Sequence, residues 1–490
     1  MPTNAEDTGL IAKILDPVAR AILFDRELED QAAHELPYIC RIDQAHVLML
    51  AECGIIDRFS ATRLLNAIER LRRQDFAPLC SRAALRGMFL LYESYLIETE
   101  GASVGGMLQM ARSRNDLNST LLRLRLRPRY LELAGSMLML RAILLRKARL
   151  YAGVVMPGYT HGQPAEAITY GHYLAGVATA VERDTTALIE AAAEIETCPL
   201  GAGAVAGTSV PIDCGRTAEF LGFARCAENS IDAVASRDFV LRLLGAAAVH
   251  GATLSRIATD LLQWLTQEFA FLALPDDLVG SSSAMPQKRN PFLLEHVQGR
   301  TAAALGAFTQ ALAATRNVPF TNAISVGTES VRPLWLALRD TTDAATLLRL
   351  VVAKALPMRG RMLQRASEGF TNATVMAVRV VQETGEDFRS AHYRVGRAVK
   401  KALEKGLASL EELSAVESGA LPVSTSETDP TSCVTRAQYG GGPSPAVLLV
   451  QLQRLRSRLL DQHNTLKQQR DRWQRAQRKL EQAVQDFAPA

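Results

Sequence analysis

The sequence predicts an all-α protein made of unusually long helices. Helix-forming residues dominate it, and the segments 119–150 and 168–197 carry Leu, Ala and Met at spacings of three and four, with Arg or Glu between them. The alternation of apolar and polar residues that marks a half-buried strand is nearly absent. Turn-forming residues are concentrated in a few places that separate the helices: Met156 to Gly158, Gly201 to Pro211, Pro275 to Pro291, Ser424 to Ser432 and Gly440 to Pro445.

The central third is predicted to form the core of a helical bundle. Residues 228–272 and 299–315 are apolar enough to be buried on most sides, which is typical of helices that lie inside a bundle rather than on a surface. This pattern favours long, closely packed central helices.

A long amphipathic helix is predicted near the C-terminus. Its apolar residues recur at intervals of seven: Leu452, Leu459, Leu466, Trp473 and Leu480. A coiled coil needs a second apolar seam, and Gln462 and Gln469 stand where its residues should be. We therefore expect this helix to pack on the protein's own body, with a coiled-coil partner as the alternative.

The composition is that of an ordinary globular protein. The chain has 490 residues, of which 48% are hydrophobic, enough for a large buried core. Its 55 Lys and Arg residues nearly balance its 51 Asp and Glu residues, giving a net charge of +4. That balance argues against nucleic acid as a partner, although a locally basic site for an anionic substrate remains compatible with it.

Cysteine usage and the N-terminal sequence indicate a cytoplasmic protein. The seven cysteines are scattered and form no CxxC pair or Cys/His cluster, so neither a disulfide framework nor a zinc site is supported. Residues 1–13 lack a basic stretch followed by an apolar run, and later apolar stretches are interrupted before they reach ~18 residues. We expect no export signal, no membrane partner and no bound metal.

Residues 280–291, GSSSAMPQKRNP, form the segment with the most chemistry. Three serines, a lysine and an asparagine occupy a connection that a bundle could make in about five residues, and loops of this length are usually functional. Serine is a feeble base in water, but Lys288 and loop N–H groups could stabilise its alkoxide once solvent is excluded. The same groups could hold a carboxylate. We therefore interpret the segment as an anion-binding lid; a solvated connector is the alternative.

Three segments resemble, in the right order, the motif regions of the aspartase/fumarase superfamily, whose members eliminate across the Cα–Cβ bond of succinyl compounds. They are Ala111 to Asp116, Gly158 to Pro164, and Ser281 to Pro291. Further segments are similar to the argininosuccinate lyase branch, so that the resemblance covers nearly the whole chain: Asp25-Arg26, Ala45-His46, Ser236 to Val240, Phe388 to His392, Val395-Gly396, Arg436 and Gly440 to Pro445.

The resemblance implies a fold, an assembly and a cofactor requirement. The fold has an N-terminal helical domain (residues 1–115), a central domain of long helices (116–365) and a C-terminal helical domain (366–490). The assembly is a homotetramer in which each active site takes the three motif regions from three different subunits. No cofactor is implied, because the doubly charged aci-carboxylate intermediate needs dense hydrogen-bond donors rather than a redox group or a metal.

The resemblance also assigns roles to individual residues. Ser282 is implied to be the base that takes the Cβ proton, although Ser281 and Ser283 leave this register open by one. His161 is implied to pair with Glu295 and to act through water or as part of the acid. The residues implied to contact the substrate are Ser113, Arg114, Asn115, Thr160, Gln163, Met285, Lys288 and Asn290. Taken without the other motifs, Arg114 and Asn115 would indicate only a helix cap with a surface pair.

The chain departs from argininosuccinate lyases where the amine product is recognised. An arginine guanidinium must be held by acids and acceptors, but Arg86-Gly87 stands where those enzymes carry a Glu-Asp pair ahead of Glu93. Their Tyr-Asn-x-Asp-x-Gln-Glu-Asp-Lys segment aligns with residues 323–331. In this chain Thr328 replaces its Gln and Val331 replaces its Lys. The pocket for the amine has therefore changed.

The resemblance, with this departure, implies a carbon–nitrogen lyase that removes an amine other than arginine from an N-substituted aspartate and leaves fumarate. Among the superfamily's lyases, the one that acts on ethylenediamine-N,N'-disuccinate, an aminopolycarboxylic acid, best fits intact succinyl chemistry with a changed amine pocket. Fumarate would be released twice, through N-(2-aminoethyl)aspartate to ethylenediamine. The alternatives are an argininosuccinate lyase, a catalytically silent structural homologue, and a binding scaffold built on the C-terminal helix.

Overall fold

The computed structural model describes residues 15–417, 420–422, 424–425 and 428–487. The N-terminal segment 1–13 and part of the turn-rich segment 424–432 lie outside the described residues. In chain order the α-helices are α1 (Pro17–Leu23), α2 (Leu28–His34), α3 (Leu36–Glu52), α4 (Arg58–Arg73), α5 (Ala77–Cys80), α6 (Met88–Glu100), α7 (Ala102–Gly105), α8 (Arg114–Leu150), α9 (Tyr170–Ala191), α10 (Cys214–Leu221), α11 (Ser230–Ala235), α12 (Asp238–Trp264), α13 (Phe292–Thr315), α14 (Leu334–Lys354), α15 (Arg359–Glu368), α16 (Ala373–Thr384), α17 (Phe388–Glu404), α18 (Leu410–Val416), α19 (Pro430–Arg436) and α20 (Pro445–Phe487). The strands are β1 (Val155–Thr160), β2 (Gln163–Thr169), β3 (Thr197–Cys198), β4 (Arg225–Cys226), β5 (Leu272–Ala273) and β6 (Leu356–Pro357).

Five long helices, α8, α9, α12, α13 and α14, form the central bundle. The helix α12 packs on α9, α13 and α14, and α8 packs on α9 and α14. Side chains from all five helices build one contiguous hydrophobic core, which includes Leu140, Leu174, Phe239, Ala304 and Leu348. The predicted all-α fold with a long central bundle is therefore confirmed.

Contacts near the helix ends give the directions of the bundle helices. The Arg123 guanidinium of α8 lies 4.5 Å from the ring centre of Phe239 at the start of α12, so α8 and α12 begin at the same end. Gln298 near the start of α13 donates a hydrogen bond of 3.0 Å to Thr259 near the end of α12, so α13 returns. We call the end where α8 and α12 begin the start end, and the end where α13 begins the hairpin end.

A β-hairpin connects α8 to α9 at the hairpin end. The strands β1 and β2 pair antiparallel, with Thr160 opposite Gln163, so that His161 and Gly162 form a two-residue turn with φ of 52° and 75°. Positive φ at both central residues is the geometry of a type I′ hairpin turn, whose twist matches that of the strands. The prediction of a turn at Met156 to Gly158 was wrong, because those residues lie within β1 at an irregularity in its register.

The C-terminal helix α20 packs on the protein's own body, as the sequence indicated. Leu452, Leu466 and Trp473 join the core of the bundle, and Leu480 joins the core of the N-terminal helices. One helix of 43 residues thus binds the central bundle to the N-terminal part of the chain.

The two glutamines that interrupt the apolar seam of α20 contact polar groups of the bundle. Gln469 accepts a hydrogen bond of 3.2 Å from the Tyr130 hydroxyl, and Gln462 accepts one from Arg141, a fully buried guanidinium of α8. Gln462 also donates to the Thr186 hydroxyl at 2.8 Å. An unpaired buried donor costs free energy, so these amides stabilise the interface where leucines could not.

The described residues contain separate hydrophobic cores outside the bundle. One joins α3, α4 and α6, and another joins α16, α17 and α18 through Met376, Val395 and Leu410. The C-terminal part of the chain therefore has a core of its own at residues 376–421, whereas α20 packs elsewhere. The division into domains at residues 115 and 365 remains a proposal.

One face of the bundle is apolar and open in the single chain. Val249 of α12 and Leu305 and Leu312 of α13 are 59%, 60% and 46% exposed. The single chain leaves this face uncovered, so burial of residues 228–272 and 299–315 on most sides stays a prediction that requires other subunits. Apolar side chains on such a face favour a protein partner. Within the described residues, no helix is both long and apolar enough to cross a membrane.

Candidate active site

The three motif segments lie at two ends of the bundle. Ser113, Arg114 and Asn115 are at the start of α8, whereas Thr160 to Gln163 form the tip of the hairpin beyond its other end. A helix of 37 residues is roughly 55 Å long, so one chain cannot bring these two segments together. The loop 280–291 precedes α13 and therefore lies at the hairpin end.

The start of α8 is held by a capping box. The Ser113 hydroxyl accepts a hydrogen bond from the Asn115 N–H, and the Asp116 carboxylate accepts one of 2.9 Å from the Ser113 N–H. Asp116 also accepts from the N–H groups of Gly201 and Gly203 at 3.0 and 2.9 Å. The glycine-rich segment that the sequence marked as a loop thus anchors the first motif, and burial raises the pKa of Asp116 despite these donors.

Arg114 and Asn115 extend from this anchored start. The Arg114 guanidinium is exposed and lies 5.9 Å from the ring centre of Phe89. The Asn115 side chain donates to the carbonyl of Ala204 at 3.3 Å and accepts from Asn322 at 2.9 Å. Sequence reasoning missed Asn322, which lies one residue before the segment that it aligned with the amine pocket.

A buried polar network supports the start of α8 from behind. Arg112 and Asp43 form an ion pair of 2.5 Å in which both side chains are fully buried. His46 is buried, and its Nε2 lies 2.9 Å from the carbonyl oxygen of Met110. Burial raises the pKa of Asp43, and burial together with the nearby Arg112 lowers the pKa of His46 to about 3. His46 therefore stays neutral and donates to Met110.

Replacing His46 with glutamine is expected to make the protein less sensitive to acid. The unfolded histidine titrates near pH 6.5 and the folded one near 3, so only the unfolded chain gains this proton as the pH falls. This difference removes about 1.4 kcal/mol of stability for each pH unit within that window. Urea unfolding at several pH values measures the effect. Between pH 7 and pH 5, the free energy of unfolding should fall by about 2 kcal/mol more in wild type than in His46→Gln. The glutamine keeps a hydrogen-bond donor for the Met110 carbonyl.

The exposed His34 offers a matched control for this measurement. Its ring is 65% exposed, so His34→Gln should keep the acid dependence of wild type. Equal losses in wild type and His46→Gln would contradict the assignment of a neutral, buried His46.

The hairpin tip presents the second motif to its surroundings. Thr160, His161 and Gln163 are all exposed, and His161 adopts the left-handed backbone conformation of the turn. Histidine tolerates this conformation better than most residues. The ring of Tyr159 packs against Phe269, with centres 5.6 Å apart, and ties the hairpin to the segment that follows α12.

The loop 280–291 is closed at its neck by backbone hydrogen bonds. The Gly280 N–H donates to the carbonyl of Asn290 at 2.8 Å, and the Asn290 N–H donates to the carbonyl of Gly280 at 2.9 Å. Arg289 holds the base of the loop through Asp276 at 2.5 Å and the carbonyl of Leu274 at 2.8 Å. The residues between these anchors form an exposed loop, which we call the lid. Its role as an anion-binding lid stays a prediction.

Within the lid, Ser282 differs from its two neighbours. Its hydroxyl oxygen accepts N–H hydrogen bonds from Ala284 at 3.3 Å and Met285 at 3.1 Å, and the residue is partly buried. Ser281 and Ser283 are exposed. Two donors on one oxygen stabilise negative charge there, so the geometry favours Ser282 as the alkoxide.

The remaining predicted residues also lie at the hairpin end. Met285 and Lys288 are exposed in the lid, and Glu295 is exposed in the first turn of α13. Among the described residues of this single chain, no hydrogen bond or ion pair joins the three motif segments, and the expected pairing of His161 with Glu295 is not made. It remains a prediction for a contact between subunits. The described residues contain no group of three or more His, Cys, Asp or Glu placed to hold a metal ion.

Comparisons with known proteins agree with this arrangement. A family described as "Lyase" matches residues 91–306, and one described as "Argininosuccinate lyase C-terminal" matches residues 370–428. The chain is 32% identical to argininosuccinate lyase 1 of Shouchella clausii over 457 residues, which are 91% of this chain and 92% of that protein. It is 36% identical to the argininosuccinate lyase of Thermus thermophilus over 416 residues, or 83% and 89%.

A solved structure of EDDS lyase in complex with formate has a similar fold throughout. It superposes with a TM-score of 0.85 at 29% sequence identity, covering 97% of this chain and 96% of that one. These likenesses, with the three motifs on a long-helix bundle, show that the chain belongs to the argininosuccinate lyase branch of the aspartase/fumarase superfamily.

Proposed function

We propose that this carbon–nitrogen lyase, whose reaction yields fumarate, acts on ethylenediamine-N,N'-disuccinate. The first elimination breaks the C–N bond of one succinyl group and leaves fumarate and N-(2-aminoethyl)aspartate. The second releases another fumarate and ethylenediamine. Each elimination transfers one proton from Cβ to the enzyme and one proton from the enzyme to the leaving amine.

We assign the proton transfers and the charge stabilisation to the three motif segments. Ser282 takes the Cβ proton, because two loop N–H groups and the Lys288 ammonium stabilise its alkoxide. Lys288 and Asn290 stabilise the aci-carboxylate, in which two negative charges develop on one carboxyl group. His161, paired with Glu295 across a subunit contact, supplies the proton to the amine directly or through water.

The observation that carries the substrate assignment is the chemistry of the start end. There the N-terminus of α6 meets the start of α8: a Cβ on Gly87 would lie 3.3 Å from the ring of Phe24, and Phe89 contacts Arg114. The segment that aligned with the amine pocket begins beside them, because Asn322, the residue before it, donates a hydrogen bond of 2.9 Å to Asn115. We therefore place the amine half of the substrate beside these elements.

This end is unsuited to a guanidinium. Of the acids at this end, Asp25 pairs with Arg20 at 3.2 Å and Glu27 with Arg332 at 3.9 Å. Burial raises the pKa of Glu93 on α6, which lies near Arg112 and Arg114. The same elements carry the basic residues Arg26 and Arg114, together with Arg86, which already interacts with another group. In the first elimination they would attract the two carboxylates of the second succinyl group, which an arginine product lacks.

Fumarate release from the disuccinate and from argininosuccinate, measured side by side, tests this assignment. We expect kcat/KM for the disuccinate to exceed that for argininosuccinate by at least about a hundredfold, because only the disuccinate brings a second pair of succinyl carboxylates to these arginines. A preference for argininosuccinate, the activity named in the curated relatives, would overturn the proposal. Activity on neither, with fumarate consumed when another amine is supplied, would retain the lyase and reject the disuccinate.

Replacing Arg86 with glutamine tests the basic amine pocket directly. We expect kcat/KM for the disuccinate to fall at least about tenfold, mainly through KM, because a charge-assisted contact to the distal carboxylates is lost. Arg82→Gln is the matched control: Arg82 lies four residues earlier and pairs with Glu98 at 2.7 Å on the protein surface. Equal kinetics of Arg86→Gln and wild type would contradict the role of Arg86.

We further propose that the active enzyme is a homotetramer with shared sites. The length of α8 separates the first motif from the other two, so a complete site requires more than one chain. The open apolar face at Val249, Leu305 and Leu312 offers a surface for that assembly. Burying this face between central helices of different subunits would satisfy both requirements.

A further inference from the structure

A second cavity, of about 760 Å³, lies at the start end of the bundle. It is lined by the start of α12, the end of α13 at Thr315, and the segment that includes Val318 and Phe320. Arg123 of α8 and Arg237, the residue before α12, also line it. Ser236 to Phe239, which belong to a segment similar to argininosuccinate lyases, line it, whereas none of the residues assigned above to the proton transfers or to substrate contact does.

Arg237 is buried with part of its guanidinium unpartnered. It is 3% exposed, and its Nη1 donates to the carbonyls of Val234 at 3.2 Å and Ser236 at 2.8 Å. Its Nε is buried and has no hydrogen-bond partner among the described residues. Leaving a buried charged donor unpaired is costly, so the site is short of one acceptor.

Arg123 places a second cation beside the first. It is 4% exposed, and it donates to the carbonyl of Glu194 at 3.2 Å and to the hydroxyl of Ser119 at 2.6 Å. Burial and the neighbouring Arg123 lower the pKa of Arg237 to about 9, which is the effect of like charge in a dry environment. A bound anion would relieve this repulsion.

The helix α12 adds positive potential to the same place. It has 27 residues, and no side chain caps its N-terminus. The Val240 N–H donates to the Arg237 carbonyl at 3.0 Å, which leaves the N–H groups of Asp238 and Phe239 for a ligand. Three carboxylates near the arginines have other partners: Asp232 accepts from Ser236 at 2.5 Å, Asp238 from Arg242 at 3.0 Å and Glu194 from Arg225 at 2.9 Å. Glu190 is exposed at the rim.

We propose that this cavity binds a small oxyanion, a carboxylate or a phosphate, between Arg237, Arg123 and the N-terminus of α12. The anion would accept from the unpartnered face of Arg237 and from helix N–H groups, as anions do at other helix starts. This proposal does not depend on the identity of the lyase substrate.

Calorimetric titration of the assembled Lys288→Ala enzyme, whose lyase site is weakened for carboxylates, tests the cavity. We expect one succinate or one inorganic phosphate to bind per subunit, and the two titrations identify which oxyanion the site prefers. Adding Arg237→Gln should weaken that binding at least about tenfold. Adding Arg129→Gln, which alters an exposed arginine of α8 that pairs with Glu132 at 2.9 Å and does not line the cavity, should leave it unchanged.

A cavity-filling variant keeps the test decisive if Arg237→Gln does not fold. Val318→Trp keeps both arginines but occupies the cavity, and it should abolish the binding while the far-ultraviolet circular dichroism stays that of the parent. Binding of neither anion to the Lys288→Ala enzyme, or undiminished binding in Val318→Trp, would overturn the proposal. Loss of disuccinate activity alone would not, because the readout is binding.

Discussion

Replacing Ser282 with alanine is expected to lower kcat roughly 10²- to 10⁴-fold and to leave the fold intact. The hydroxyl is the proposed base, and general-base catalysis contributes effects of this size. Its structural role is small, because it accepts two N–H hydrogen bonds within a partly exposed loop. Steady-state kinetics with the disuccinate measure the effect, and thermal unfolding checks the fold.

The neighbouring serines provide matched controls for Ser282. Ser281→Ala and Ser283→Ala remove the same hydroxyl from exposed positions of the same loop, and we expect each to keep kcat within a fewfold of wild type. A near-normal kcat for Ser282→Ala, with a large loss in one of the other two, would move the base by one residue. It would also show that the two N–H hydrogen bonds to the Ser282 hydroxyl only stabilise a local turn and do not activate a base.

Mixing two inactive variants should restore activity if the sites are shared. We expect His161→Asn and Ser282→Ala, each with little activity alone, to recover about a quarter of wild-type activity when unfolded together and refolded in equal amounts. The hairpin and the lid of one site would come from different chains, and each segment is intact in half of the chains. Activity after refolding, measured against each variant refolded alone, provides the test.

Two lesions in one segment form the control for this mixing experiment. Ser282→Ala and Lys288→Ala both lie in the lid, so every lid in their mixture carries a lesion and no activity should return. Restoration in that mixture would indicate an artefact of refolding. Absence of restoration with His161→Asn, or a fully active monomer in sedimentation at working concentration, would contradict the shared site and the tetramer together.

The candidate site residues could be proposed from the sequence because their signals are local. A run of serines with a lysine and an asparagine, bounded by glycine and proline, marks the lid at residues 280–291 wherever it lies in space. The spacing of apolar residues likewise predicts long helices, since a helix buries every third or fourth side chain. The same reasoning misplaced the hairpin turn, because Pro157-Gly158 resembles a turn more strongly than His161-Gly162 does.

The interpretation of the C-terminal helix shows how far such patterns reach. The two glutamines in its seam favoured packing on the protein's own body, and the structure shows that packing. Their hydrogen-bond partners lie more than 320 positions away in the chain. Gln462 and Gln469 match Arg141 and Tyr130 of α8. A polar residue in an apolar seam can be noticed in one segment, but its partner becomes visible only when the helices pack.

By itself, the sequence determined the fold class, the family and the types of residue in the candidate site, because these depend on periodicity and on short motifs. The tertiary structure alone decided which of those residues can meet. The rigid length of α8 separates Asn115 from His161, and the packing of the bundle brings Asn322 to Asn115 and leaves Arg237 facing a cavity. Such contacts join residues far apart in the chain, and they depend on helix lengths and directions that no local pattern encodes.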